Sequence, residues 1–210
     1  TKDTKDEETI ASPTPIVILS KYNYGGSSVA AGSSTNLSFS FTNTSKTIKI
    51  ENVMVTVTGG QDLMLNGSTN TFYFESVAAS GRKTVTVPMK AAQLISASAQ
   101  DVKIDVTYEY VDQNARKSGN ATLSLSVPLY QPDRFEMSEP TSSYTGYVGE
   151  ETSLTIDYVN KGKSAINNVE ATISGDIDSP TPYQRVGTID GGKNGTIAFA
   201  VTPQLEGENQ

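Results

Sequence analysis

An alternation of apolar and polar residues occurs twice in this chain of 210 residues and constrains its fold more than any other feature. The first copy, residues 35–57, alternates Leu and Phe with Ser and Thr, breaks at a polar segment containing Asn, and resumes with Val at every second position. The second copy, residues 152–173, repeats this arrangement around a break at residues 160–162. Period-2 alternation predicts strands that bury one face. A pair of such strands needs a second sheet to cover its apolar side.

The spacing between the two copies indicates the size of the repeated unit. Leu37 and Leu154 are 117 positions apart, and Val77 and Ile189 are 112 positions apart. This period is too long for a solenoid and is typical of tandem sandwich domains of about 100 residues. The first copy shows about seven strands, and residues 90–100 are predicted as a loop with at most one helical turn. The sequence therefore predicts an all-β protein made of two tandem Ig-like Greek-key β-sandwiches.

Composition places the boundaries of these domains. Residues 1–10 alternate Lys with Asp and Glu and have almost no apolar side chains, so they predict a flexible tether. The first sandwich is expected over residues 11–130, with the loop of its last hairpin at residues 112–119. A Pro-containing junction then starts the second sandwich, residues 131–210.

The second sandwich is expected to lack its last strands. In the first domain the predicted strands at residues 102–110 and 123–127 follow the Val85 strand, and the local offset of 112 would put their counterparts beyond Gln210. An inner strand would then have no hydrogen-bonded neighbour on one side. We expect the chain to be a fragment of a longer protein, with the gap filled by a rearranged sheet or by strand-swapped self-association.

The composition excludes several classes of function. The chain has no His, Cys or Trp, which removes the common zinc, copper and iron–sulfur sites and the thiol and His-based nucleophiles. A net charge of −7 would repel a nucleic acid backbone. No apolar run approaches the ~20 residues that span a bilayer, and no signal peptide is visible. We expect no cofactor and no nucleic acid partner.

Carboxylates are the remaining candidates for catalysis or metal binding. Neither of two groups of acids matches the spacing of a known calcium loop, so both are interpreted as solvated loop residues. Nothing selects an opposed pair for glycoside hydrolysis, and we therefore predict no catalytic and no metal-binding residue. The groups are Asp101, Asp105 and Asp112, and Asp176, Asp178 and Asp190.

Four tyrosines are the candidate ligand or interface residues. Tyr22 and Tyr24 precede the central strand of the first copy, and Tyr144 and Tyr147 hold matching places in the second. Exposed aromatic rings stack on sugars or anchor protein interfaces. Tyrosine at the end of a sandwich also packs half-buried with its hydroxyl on a backbone carbonyl, and this packing interpretation is favoured because the chain lacks Trp.

One stretch of the second copy carries a resemblance to a known group of proteins. Asn160, Gly162, Ile166, Asn168 and Val169 match an N-x-G-x-x-x-I-x-N-V pattern, which the first copy follows with one extra residue and Ser in place of Gly. In this the chain resembles the Ig-like repeats of bacterial and archaeal cell-surface proteins, the CARDB-type and S-layer-like domains. The resemblance implies an extracellular location on the cell surface, with a membrane or wall anchor outside this fragment.

These observations predict a non-enzymatic cell-surface stalk or adhesion module. Its partners would be a protein or a surface polysaccharide. The alternative is a carbohydrate-binding module of a secreted multidomain enzyme, for which Tyr22 and Tyr144 would supply the aromatic contacts.

Overall fold

The chain divides into two compact units, Thr1–Tyr130 (unit 1) and Gln131–Gln210 (unit 2). A computed structural model describes residues 12–138 and 146–207. Within these two ranges all regular secondary structure is β-strand, and no helix is present. There is accordingly no helix in these ranges that could cross a membrane. The predicted all-β class is confirmed. The predicted tether, residues 1–10, lies outside the described residues.

Unit 1 consists of two sheets that enclose one core. A four-stranded sheet has the strand order β1-β3-β7-β5, and a five-stranded sheet has the order β2-β9-β8-β4-β6. All neighbours are antiparallel except β2 and β9, which are parallel. The strands are β1 (Val17–Asn23), β2 (Val29–Ala30), β3 (Ser34–Asn43), β4 (Ile50–Thr58), β5 (Leu63–Leu65), β6 (Thr71–Val77), β7 (Arg82–Ala91), β8 (Ala99–Asp112) and β9 (Ala115–Tyr130).

The alternation seen in the sequence builds the core of unit 1. Phe39 and Phe41 of β3 point inward, as do the valines of β4 and every second residue of β8 from Val102 to Tyr110, and all of them are buried. Phe41 also meets the ring of Phe74 edge-on, with centroids 5.7 Å apart. Each such side chain contributes about 1.5–3 kcal/mol when fully buried. The polar residues between them face outward, so the period of two decides which surface of each sheet is exposed to solvent.

Two local predictions for unit 1 were wrong. The last hairpin has a two-residue turn, not the loop at residues 112–119, because Gln113 (φ 50°) and Asn114 (φ 63°) both adopt the left-handed conformation of a type I′ turn. Residues 90–100, predicted as a loop with at most one helical turn, do contain a loop, at residues 92–98, and no helical turn. The count of seven strands missed β2 and β5, which are two and three residues long and too short to show alternation.

Unit 2 holds six strands among its described residues, in two sheets. One sheet has the order β10-β11-β15-β13, and the other contains only β12 and β14. Ile197, Phe199 and Val201 of β15 form its buried apolar cluster. The strands are β10 (Phe135–Met137), β11 (Thr152–Asn160), β12 (Ile166–Thr172), β13 (Ile177–Asp178), β14 (Tyr183–Ile189) and β15 (Asn194–Pro203).

The strands of unit 2 correspond one by one to six strands of unit 1. Phe39 pairs with Val85 in β3–β7, and Ile156 pairs with Ile197 at the matching place in β11–β15. The other matches are β1 with β10, β4 with β12, β5 with β13 and β6 with β14. Among the described residues of unit 2, no strand holds the positions of β2, β8 and β9. The edge of β12 that corresponds to the β8 side of β4 therefore has no strand beside it there.

A fully buried asparagine ends the first central strand of each unit. In unit 1 the Asn43 amide donates to the carbonyls of Ile48 (2.9 Å) and Ala78 (3.1 Å) and accepts from the Ser45 backbone N–H (3.1 Å). The side chain thus ties the β3–β4 loop to the β6–β7 loop. Because a buried polar group is costly unless bonded, Asn rather than an apolar residue satisfies this place.

Asn160 makes the same bonds in unit 2. Its amide donates to the carbonyls of Ser164 (2.8 Å) and Ile189 (3.0 Å), and its oxygen accepts from the Gly162 N–H (2.9 Å). The Asn of the sequence pattern is therefore a structural residue, whose side chain links two parts of the fold by hydrogen bonds, not a ligand-binding residue.

A left-handed asparagine forms a bulge in the second central strand of both units. Asn52 in β4 has φ 49° and Asn168 in β12 has φ 55°, and the strand register shifts at each of them. Asn adopts this conformation more readily than most residues, and a bulge strengthens the local twist. The N-V dipeptide of the sequence pattern is the signature of this bulge.

Candidate functional site

Two of the four candidate tyrosines lie together at the end of β1. The rings of Tyr22 and Tyr24 stack with centroids 6.3 Å apart. Tyr24 packs against the core of unit 1, and its hydroxyl donates to the Ser27 carbonyl (3.1 Å). Tyr22 is 46% exposed. Tyr24 therefore fits the packing interpretation, and only Tyr22 presents a ring to solvent.

The other two candidates are in unit 2. Tyr147 is 78% exposed, the most open of the large apolar side chains described. Tyr144 lies outside the described residues. The structure therefore shows Tyr22 beside Tyr24 in unit 1 and leaves Tyr147 without a described aromatic neighbour.

A row of side chains on β8 that the sequence did not single out holds the start of unit 1. The Tyr108 hydroxyl donates to the Pro15 carbonyl, and the hydroxyls of Tyr110 and Thr14 share a hydrogen bond of 3.1 Å. Asp112 accepts from the backbone N–H of Ser12 (3.3 Å). From Tyr108 to Asp112 the partners in the entering segment run in the opposite direction, from Pro15 back to Ser12. The segment runs antiparallel to β8 and hence parallel to β9.

The ring of Tyr108 fits in this row because glycine faces it. Gly119 is its partner on β9, and a Cβ atom at Gly119 would lie 2.6 Å from the Tyr108 ring. Burial is the main cause that raises the pKa of Tyr108, so its hydroxyl stays protonated and available as a donor. Tyr158 and Gly195 form the same kind of cross-strand pair in unit 2. A Tyr followed ten or more residues later by Gly is too common to have predicted either pair.

Asp112 is the charged member of the row. Its side chain is 3% exposed, and Lys117 contacts it at 2.8 Å across the β8–β9 hairpin. The hydrogen bond from Lys117 is the main cause that lowers the pKa of Asp112, and the bond from Ser12 adds to it. The carboxylate is therefore ionised at neutral pH and can hold the entering chain through a charge-assisted bond.

The parallel pair β2–β9 joins residues 29–31 to the end of unit 1. Val29 is in register with Leu129 and Ala30 with Tyr130, and the Ala31 N–H donates to the Tyr130 carbonyl (2.9 Å). We call the β2–β9 pair, together with the bonds from β8 to residues 12–15, the end clamp. It connects residues 12–15 and β2 to the β8–β9 hairpin, with which unit 1 ends.

The outer face of the five-stranded sheet carries a polar network. Asn52 donates to Glu109 (2.8 Å) and accepts from the Tyr73 hydroxyl (3.0 Å), while Arg116 contacts Glu109 at 2.9 Å and Glu51 at 3.2 Å. The hydrogen bond from Lys49 is the main cause that lowers the pKa of Glu51. Exposed pairs of this kind are worth about 0–1 kcal/mol each, so the network orients side chains more than it stabilises the sheet.

A concavity of about 440 Å³ lies on unit 2 between β10, β11 and β15. Two acids line it, but each already has a partner: Asp157 accepts from the Thr196 hydroxyl (2.6 Å), and Glu136 contacts Lys161. Across residues 12–138 and 146–207, no three His, Cys, Asp or Glu side chains cluster as metal ligands would. The concavity therefore offers a polar surface without a distinctive catalytic group.

The small β12–β14 sheet presents charged residues on its outer face. Glu170 on β12 is in register with Arg185 on β14, and the Tyr183 hydroxyl donates to the Glu170 carboxylate. That bond is the main cause that raises the pKa of Tyr183. Glu170 thus lies beside the edge of β12 that lacks a described neighbour.

These features define the class of the protein as all-β, with sheets stacked around apolar cores. No known protein family matches the sequence, and no curated protein matches it either.

Comparison with solved structures gives three distant similarities. The chain is similar to a protein of unknown function from Porphyromonas gingivalis W83 (TM-score 0.37, 14% identity, 90% of this chain and 84% of that one). It is also similar to red sea bream transglutaminase (TM-score 0.33, 8% identity, 93% and 28%). The third is an alkylpurine DNA glycosylase of Pseudomonas fluorescens (TM-score 0.25, 14% identity, 51% and 30%). Scores this low carry no argument about function.

Proposed function

We propose that the chain is a non-enzymatic, load-bearing spacer of an extracellular cell-surface protein. The end clamp of unit 1 is the observation that supports this most directly. A spacer must transmit tension between its two ends without unfolding, and the clamp holds the entering chain on β8, the hairpin partner of the last strand of the unit.

The geometry of the clamp suits tension. In a parallel pair, the start of one strand and the end of the other lie at opposite ends of the ladder. Residues 12–15 run parallel to β9 and are held by side chains of β8, the hairpin partner of β9. Pulling the chain at residue 12 and at Tyr130 therefore loads the bonds from Tyr108 and Tyr110 to residues 14 and 15 in shear, before the load reaches β1 and β2.

Single-molecule pulling tests the proposal. The full chain would be held at residue 12 and at Tyr130, so that only unit 1 is under load. Tyr108→Phe removes the hydroxyl that donates to the Pro15 carbonyl, and we expect it to lower the unfolding force of unit 1 clearly. Tyr73→Phe is the matched control, because it removes the hydroxyl that donates to Asn52, which lies outside the clamp.

Two outcomes contradict the spacer. One is an equal loss of force in both phenylalanine variants, which would mean that the clamp is not the loaded element. The other concerns location: an antibody against the chain should label intact cells that produce it, and labelling only after permeabilisation would rule out a surface role.

A carbohydrate-binding module is the second candidate, and the exposed ring of Tyr22 beside Tyr24 is the observation that favours it. Stacking of the tyrosine ring on a sugar would retard the chain in gels that contain the polysaccharide. Tyr22→Ala should abolish that retardation, while Tyr73→Ala, which removes a 61% exposed ring from another surface of unit 1, should not.

A further inference from the structure

The apolar face of unit 2 is less covered than the same face of unit 1. Seven inward positions of the two central strands are buried in unit 1, at 0% to 1% exposure, while each counterpart in unit 2 is only partly buried. The side chains are as apolar in one unit as in the other, so the difference arises from what lies over them. The pairs are Leu37 and Leu154, Phe39 and Ile156, Phe41 and Tyr158, Ile50 and Ile166, Val53 and Val169, Val55 and Ala171, and Val57 and Ile173.

Unit 1 shows what covers this face. Strand β8 pairs antiparallel with β4, with Val55 opposite Val106 and Val57 opposite Ile104. The inward side chains of β8 lie beside those of β4 in the same sheet and extend the core that β3 shares, and its outward ones alternate with them. In unit 2, β12 corresponds to β4 and has no described strand on that side. The matching cover is therefore an extended strand with an apolar residue at every second position.

Charge distinguishes unit 2 from unit 1 just as clearly. Residues 1–130 contain 11 Lys and Arg and 11 Asp and Glu, whereas residues 131–210 contain 5 and 12, so the whole net charge of −7 belongs to unit 2. A second copy of unit 2 would bring the same excess of negative charge to the edge and would be repelled. A basic strand would be attracted.

We propose that the free edge of β12 accepts, in antiparallel orientation, a β-strand of a partner protein that alternates apolar side chains with basic ones. Addition of a strand to an open edge is an established mode of peptide recognition, in which backbone hydrogen bonds give affinity and alternate side chains give specificity. The proposal goes beyond the spacer function and does not depend on it.

The repeat fixes the register of the incoming strand. In unit 1, Met54 lies opposite Thr107 of β8, and Glu170 is the counterpart of Met54 on β12. The residue that enters at the place of Thr107 therefore faces Glu170, and we expect Lys or Arg there. Its two neighbours, at the places of Val106 and Tyr108, point inward toward Ala171 and the partly covered face.

Strand β8 itself supplies the probe. We would use a capped synthetic peptide with the sequence of residues 101–111, altered by Thr107→Lys and Glu109→Lys, and measure its binding to the full chain by calorimetry. Hydrogen exchange would report on the amides of residues 166–172. The control peptide carries Ile104→Ser and Val106→Ser in addition, which removes the inward apolar groups and leaves the charges unchanged.

The expected result is binding with slowed exchange in β12 and affinity lower by about a hundredfold for the control peptide, since two buried aliphatic side chains are lost. In the chain, Glu170→Lys should weaken binding about threefold to tenfold, and a peptide with Glu at the place of Thr107 should restore it. Glu170 is exposed, so the variant is expected to fold, which circular dichroism checks.

Four results overturn the proposal. Absence of binding at millimolar peptide is one, and equal binding of both peptides is another. The third is slow exchange of residues 166–172 in a chain that light scattering shows to be dimeric, because a second copy would then hold the edge. The fourth is the same slow exchange in a monomer, where the chain would close its own edge.

Discussion

At the scale of single residues, the buried asparagines Asn43 and Asn160 explain why a polar residue interrupts each apolar alternation. Each one satisfies loop carbonyls that would otherwise be buried without a partner. The interruption in the sequence is therefore part of the core.

Replacement of Asn43 by Ala should lower the free energy of unfolding of unit 1 by about 2–4 kcal/mol, because at least two partly buried carbonyls and one N–H lose the partner that the buried amide provides. Hydrogen exchange of the slowest amides of β3, measured in the full chain, checks this value. Asn36→Ala is the control, since Asn36 lies exposed on the same strand. A loss below about 1 kcal/mol, comparable to the control, would show that water replaces the amide.

Asp62 provides a prediction about pH. Its carboxylate accepts bonds from the Ser96 hydroxyl (2.7 Å), the Ser96 N–H (3.0 Å) and the Ala97 N–H (3.0 Å), and the two bonds from Ser96 are the main causes that lower its pKa below the ordinary 3.8. The unfolded chain thus binds the proton at a higher pH than the folded one. The stabilising contribution of Asp62 is complete above pH 3.8 and is lost as the pH falls through the lower folded value.

Unfolding of unit 1 by urea, followed between about pH 6 and about pH 2.5, tests this dependence. We expect stability to fall at the acid end in the wild type and to fall less steeply in Asp62→Asn, which cannot ionise. Parallel curves for the two proteins would show that the shift in the pKa of Asp62 does not contribute.

At the scale of elements, the hairpin β8–β9 organises unit 1. It supplies the row that holds residues 12–15, the partner of β2 and the neighbour of β4. Its two-residue turn sets the register of all these contacts, because a slip by one residue would turn each inward side chain outward.

The turn can be tested at Asn114. Asn114→Gly should stabilise unit 1 slightly, since glycine adopts φ 63° without strain, while Asn114→Val should destabilise it by about 1–2 kcal/mol. Thermal unfolding of both variants checks the order. The same two substitutions at Ser118, an exposed residue within β9, should give the reverse order, because valine suits a strand better than glycine.

The sequence predicted long strands well and short ones poorly. The strands β3, β4, β7 and β8 follow from alternation, because at nine or more residues each one shows the period several times. Strands such as β2 have two residues, and their pairing depends on the tertiary position of β9. The end clamp could not be predicted for the same reason: its bonds join residues up to 100 positions apart. Of the two candidate tyrosines in unit 1, exposure singled out Tyr22 only once the packing of Tyr24 was visible.

At the scale of the whole molecule, the two units differ in the number of apolar side chains that they bury. Among the residues that the structure describes, the core of unit 1 contains 23 buried apolar residues, while the buried cluster of unit 2 contains three. Unit 2 therefore has much less apolar burial to offset the entropy of ordering its chain.

We expect unit 2 to open first. In a urea titration monitored by hydrogen exchange, amides of β11 and β15 should lose protection at lower urea than those of β3 and β7, which hold the matching places. Adding a strand peptide that binds β12 should reduce the difference between the urea concentrations at which the two sets of amides lose protection, since ligands that bind only the folded form stabilise it. A single shared transition would show that the two units unfold as one.

The end clamp also sets what happens when tension exceeds its strength. Residues 12–130 would then be released as an extended thread of roughly 400 Å, at about 3.4 Å per residue. A tethered cell would thereby gain reach and dissipate a sudden pull without breaking a covalent bond. Unit 1 would refold, and the bonds of the clamp would form again, once the tension is removed.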